Sequence, residues 1–135
     1  MGLIEAFYDD GEDLTGYCTA GVTGGQLVAI SADQQAGGSS GVSDSIVGGN
    51  ISVAPCGAGL KALGVAQYDQ TTGNLVGILR GTKVVPIIAG GAITHGTQVQ
   101  SDASGHIITL ASGVAVGYAL ADASSAAMAK IALYP

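Results

Sequence analysis

The residues able to do chemistry are few, and their surroundings decide what they can do. Gly37-Gly38-Ser39-Ser40-Gly41 satisfies the Gly-x-Ser-x-Gly string of hydrolase nucleophile elbows. An elbow needs a strand before the serine and a helix after it, to hold the hydroxyl at a strained, exposed tip. The flanks here, Gln34-Gln35-Ala36 and Val42-Ser43-Asp44, read as neither, and a tract this rich in Gly and Ser produces the string by chance. His95 and His106 each stand beside a glycine, and the one carboxylate near either is Asp102. A zinc site needs three or four convergent ligands, so both histidines read as exposed turn residues. Asp9-Asp10-Gly11-Glu12-Asp13 offers oxygen ligands, but not the spaced loop with a distant bidentate Glu that calcium takes. Gly57 and Gly59 open a dinucleotide-like string, yet Ala62 stands where the third glycine belongs, and no Gly-Lys pair supplies a phosphate loop. The chemistry inventory yields no catalytic residue, no metal site and no cofactor. It leaves binding or structure as the role.

Composition narrows that role. Ten acids and four bases give a net charge of −6, and five of the acids (Glu5, Asp9, Asp10, Glu12, Asp13) fall in the first thirteen residues. The remainder is nearly neutral, so the chain lacks the basic footprint of a nucleic-acid binder. A charged fraction of 10% is well below the usual quarter, and a weakly charged surface is one that a partner can cover. The start of the chain has no basic segment, and Glu5 interrupts its apolar run, so no secretory signal is read. Ala6 replaces the Ser or Thr that myristoylation expects. The uncharged run between Asp102 and Asp122 is near membrane-spanning length, but Ser104, Gly105, Thr109, Ser112 and Gly113 break it into short strands. No membrane span is expected. Cys18 and Cys56 read as free, partly buried thiols, and Asn50-Ile51-Ser52 as an unused glycosylation triplet.

The elements that must position these residues announce themselves by repetition. Gly64-Val65-Ala66-Gln67-Tyr68-Asp69 and Gly117-Tyr118-Ala119-Leu120-Ala121-Asp122 both run from Gly-x-Ala to an Asp and a small-residue corner. Leu75-Val76-Gly77-Ile78 and Met128-Ala129-Lys130-Ile131 then follow as second apolar runs. An Asp at such a corner accepts backbone N–H groups further on, and apolar runs bounded by corners read as strands. Twenty-three glycines, a single phenylalanine and no tryptophan imply many corners around a core of small aliphatic side chains. No window has the charged face of a long amphipathic helix. The expectation is an all-β chain: residues 1–15 an acidic arm, residues 16–135 one domain of about ten short strands. Residues 16–20 and 26–31 read as strands of a hairpin around Thr23-Gly24-Gly25, and residues 32–50 as a long surface loop. Pro86 places the strand over residues 83–88 on an edge or at a bulge. Residues 97–100 and 107–110 read as a second hairpin around Asp102-Ala103-Ser104-Gly105.

Taken in order, several stretches carry a resemblance. They are Gly16-Tyr17-Cys18-Thr19-Ala20 leading to Gly24-Gly25-Gln26-Leu27-Val28, then Leu63-Gly64-Val65-Ala66-Gln67-Tyr68-Asp69, then Leu79-Arg80-Gly81 leading to Val85-Pro86. Gly96 to Val99 with Asp102-Ala103-Ser104-Gly105, and the closing Ala115-Val116-Gly117-Tyr118-Ala119-Leu120, complete the set. Together they resemble the capsid decoration, or head cement, proteins of tailed bacteriophages. The resemblance covers residues 16–133 and rests on order and spacing. It implies a compact β-barrel-like or β-tulip domain without catalysis. It also implies a homotrimer at three-fold positions, fastening neighbouring copies of the major capsid protein on the outer surface of the virion head. The acidic arm lies outside the matched stretches. Its residues Leu3, Ile4, Phe7, Tyr8, Asp9 and Asp10 are the expected partner contact, apolar side chains docking while the acids meet basic groups. An edge strand packed back on its own domain is the other reading of that arm. A sugar-binding or adhesive β-module is the alternative function, and it expects exposed aromatics grouped on loops.

Overall fold

The computed structural model describes residues 13–35 and 49–135. Ten strands carry the fold, and no helix occurs among the described residues. They are β1 (Leu14–Cys18), β2 (Leu27–Ile30), β3 (Ile51–Pro55), β4 (Gly64–Ala66) and β5 (Leu75–Leu79), followed by β6 (Val84–Ile88), β7 (Gln98–Ser101), β8 (Ile107–Thr109), β9 (Gly117–Ala119) and β10 (Met128–Leu133). The first five close into a barrel in the order β1-β3-β2-β4-β5, and the second five form a sheet in the order β6-β10-β9-β7-β8. The all-β, ten-strand expectation therefore holds.

The two halves are copies of one unit, strand for strand and in the same register. Leu14 lies opposite Ile78 and Val85 opposite Ile131, so one side is displaced by 71 residues (85 − 14) and the other by 53 (131 − 78). The same displacements map Leu27↔Val65 onto Gln98↔Tyr118. They also map the isolated bridge Val22↔Gln70 onto Ile93↔Ala123. The parallel pairing of β1 with β3, which closes the barrel, survives in the second half as the single bridge Ala89↔Ile107, equivalent to Cys18↔Val53. Both corners seen in the sequence are thus real, β4–β5 and β9–β10 being antiparallel pairs.

Single strands face two cores, and this joins the halves. Val28, Ala66 and Ile78 point into the barrel with Leu14, Cys18, Val53 and Val76. Their neighbours Leu27, Val65 and Leu79 point outward and belong to the other core, with Val85, Ile87, Val99, Ile107 and Ile131 of the second sheet. A strand exposes successive side chains to opposite faces, so alternation alone produces this division. The second sheet therefore curls over the outer wall of the barrel, and Leu27 and Val65 plug its interior. Each such fully buried side chain contributes roughly 1.5–3 kcal/mol relative to exposure.

Two expectations are corrected. The turn at Thr23-Gly24-Gly25 exists, but β1 and β2 are not hairpin partners, because β3 lies between them. Sequence proximity favours hairpins, whereas the closed barrel needs β1 free to pair in parallel with β3 and antiparallel with β5. The first strand also starts at Leu14, two residues before the expected Gly16, because Leu14 is buried opposite Ile78. Of the edge or bulge expected at Pro86, the edge is found: among the described strands β6 pairs with β10 alone. Ile88, two residues on, sends its N–H away from β10 to the Gly25 carbonyl at 2.8 Å, so the N–H that Pro86 lacks would face the open side. The hairpin of β7 and β8 is as expected. Where that hairpin turns tightly, twenty residues (31–50) connect β2 to β3, and most of the expected loop over residues 32–50 lies outside the described residues. At its described ends, Gln35 N–H donates to Asn50 O at 2.9 Å.

Candidate docking surfaces

The carboxylates nearest the two histidines are spent on turns. Asp122 Oδ1 accepts the backbone N–H of His95 at 2.8 Å and lies 2.7 Å from its Nδ1. The backbone N–H and the imidazole together hold the Asp122 carboxyl below its ordinary range. Asp69, its equivalent in the first half, accepts the N–H of Gly24 at 2.8 Å, the position that maps onto His95. His95 is therefore a turn residue on a capped corner. Asp102 Oδ1 accepts the N–H of Ser104 at 2.8 Å and of His106 at 3.0 Å, so this carboxylate serves the β7–β8 turn and not the His106 ring. Among the described residues no group of three His, Cys, Asp or Glu side chains is placed to hold a metal. Ser39 lies outside the described residues.

The thiols are buried and apart. Cys18 belongs to the barrel core and Cys56 to the shared core. Burial pushes both up from the ordinary thiol value, with Ser101 offsetting part of the rise at Cys56. Neither is poised as a nucleophile, since a reactive cysteine needs a lowered pKa and access.

What the surface does offer is apolar. One patch covers the outward face of β6, β10 and β9, where Val84, Pro86, Met128 and Tyr118 are exposed beside Lys130. Val84 is 54% and Met128 56% exposed, large values for side chains on a regular sheet. Tyr118 and Tyr134 meet there with ring centroids 6.0 Å apart and planes tilted by 38°. That pair sits on and beside a sheet face, whereas a sugar site would group its aromatics on loops. A second feature is a groove at the junction of the halves, lined by Leu63, Lys61, Arg80 and Tyr134 among others. Lys61 and Arg80 have no carboxylate partner among the described residues, whereas Lys83 Nζ sits 2.6 Å from Asp13 Oδ1. Sequence reading did not find this groove. Its two cations are nineteen residues apart (80 − 61), and only the meeting of the β5 end with the β4 entrance unites them. The expected contact residues Leu3, Ile4, Phe7, Tyr8, Asp9 and Asp10 lie outside the described residues.

The profile of the phage cement protein family matches residues 9–134, starting inside the acidic segment. Among solved structures, the N base of the head fiber gp8.5 of bacteriophage phi29 superposes with a TM-score of 0.68 at 19% identity, over 90% of this chain and 92% of that one. At that identity the likeness is one of fold. No curated protein matches the chain.

Proposed function

The chain belongs to the phage cement protein family, a structural family associated with the phage head, and from that premise we propose that it binds the outside of the capsid and fastens neighbouring major capsid subunits. The family match over residues 9–134 carries this reading. The molecule supports it in two ways. The carboxylates of Asp69, Asp102 and Asp122 are bound to turns and both described thiols are buried, and its exposed sheet face is apolar enough to be covered. Contacts repeated many times on a shell need modest individual strength, because simultaneous engagement multiplies it. The copies assemble as a cyclic trimer, with heterologous contacts closing after three, at the three-fold positions of the head. The apolar-acidic arm, with Leu3, Ile4, Phe7, Tyr8, Asp9 and Asp10, contributes to the capsid contact.

The test is decoration of heads that lack the protein, followed by reconstruction of the particle. The expected outcome is density for three copies around each three-fold position on the outer surface, and slower loss of DNA on heating. Isolated copies away from any three-fold, or no binding to expanded heads, would overturn the proposal.

A further inference from the structure

The groove at the junction of the halves consists of two hollows of about 180 and 430 Å³ that share Lys61, Leu63, Arg80 and Tyr134, so they form one trough. Leu63, Leu60 and Tyr134 give it an apolar lining, and two cations, Lys61 and Arg80, with no carboxylate partner among the described residues, stand along it. The chain enters the described structure at this end of the barrel. Leu14, where the β1 ladder begins, lies opposite Ile78, two residues before Arg80. Asp13 is already held, 2.6 Å from Lys83. Residues 1–12 hold Leu3, Ile4, Phe7 and Tyr8, four acids (Glu5, Asp9, Asp10 and Glu12) and no base. Twelve residues reach at most about 40 Å, ample to run the length of the trough.

We propose that this groove seats residues 1–12 of the same chain, the large apolar side chains against its lining and the acids toward Arg80 and Lys61. Charge, apolar content and point of entry all agree. A segment tethered beside its own groove has a high effective concentration there, which favours the same chain over a neighbour. An arm so seated meets the capsid as part of the domain's end and not as a loose tether. The inference concerns the free protein and does not require that the capsid reading be correct.

The test is proteolysis of the full-length protein in the absence of heads, following chymotryptic cleavage after Phe7 and Tyr8. A seated arm is cut at least about tenfold more slowly than a synthetic peptide of residues 1–13, since cleavage must wait for local opening. The double variant Lys61→Glu/Arg80→Glu removes the protection, whereas Lys130→Glu, at a sheet-face lysine with no ion pair among the described residues, preserves it. Should the double variant fail to fold, ionic strength carries the test: protection in the parent falls as salt rises, with the circular dichroism spectrum unchanged. Cleavage of the parent at the peptide's rate, or protection that survives both charge reversal and salt, overturns the proposal. Protection lost on dilution also overturns it, because the arm would then occupy a neighbour's groove. A protected arm on a protein that ignores heads would refute the capsid reading alone.

Discussion

Replacing Gly117 with alanine tests the duplicated register. A Cβ at Gly117 would run into the carbonyl oxygen of Ala132 on the facing strand and come within 2.9 Å of Ile131 Cγ2. At Gly64 the equivalent Cβ meets the carbonyl of Leu79 and comes within 2.7 Å of Ile78 Cγ2, each partner displaced by the same 53 residues. The obstruction is backbone, so it cannot rotate aside, and relief requires β9 to move away from β10. Overpacking of this kind costs about 1–3 kcal/mol, and weakening one ladder hydrogen bond adds about 1 kcal/mol. An unfolding entropy near 2.1 cal/mol/K per residue over 135 residues turns a total of about 2–4 kcal/mol into a melting temperature lower by about 7–14 °C. Thermal denaturation followed by circular dichroism reads this directly. Gly64→Ala should fall by a similar amount. Gly91→Ala, where the nearest atom to a new Cβ is Ile108 Cγ2 at 3.9 Å, should stay within about 2 °C. If Gly64→Ala and Gly117→Ala both melt with the parent, the close approach is not real. If one is sensitive and the other is not, the halves do not share a register.

Two smaller effects follow from the same correspondence. Ala126 has φ of 69° where its equivalent Gly73 has 88°, so alanine occupies a left-handed position that costs a side chain about 1 kcal/mol or more. Ala126→Gly should be neutral to about 1 kcal/mol stabilising in urea denaturation, the strain relieved offsetting the extra freedom of the unfolded chain; a loss beyond about 1 kcal/mol refutes the strain. Asp122 has its carboxyl lowered, first by the backbone N–H of His95 and then by the imidazole. A lowered folded value means its contribution is present above the unfolded value and disappears as pH falls through the ordinary carboxylate range toward the folded one. The melting temperatures of parent and Asp122→Asn should therefore differ most near neutrality and converge in acid. A gap that widens in acid contradicts the assignment.

What could be read from sequence was local. Gly64 and Gly117 start recognisable copies because the close approach they permit, and the Asp caps that follow, require particular residue types. The other strands of the repeat keep only apolar character: Leu14 matches Val85, and Val28 matches Val99, pairs that any two strands would offer. The β1–β3 pairing was illegible because parallel partners need not be near in sequence, and the intervening Thr23-Gly24-Gly25 turn imitates a hairpin. Pro86 was legible, since a missing donor restricts a residue wherever it occurs. The exposed sheet face could not be read because Val84 and Met128 look like core residues until the sheet shows which way they point. The groove depends on Lys61 and Arg80 meeting across a strand pair, which spacing cannot reveal.

The plug formed by Leu27 and Val65 has a consequence at low concentration. Contacts between separate molecules are lost on dilution, because the rate of rebinding falls as concentration falls. The contact that completes the second sheet is between parts of one chain, so its local concentration is set by the connecting backbone and does not change. Both cores therefore stay filled at any dilution, since neither needs a second molecule to complete it.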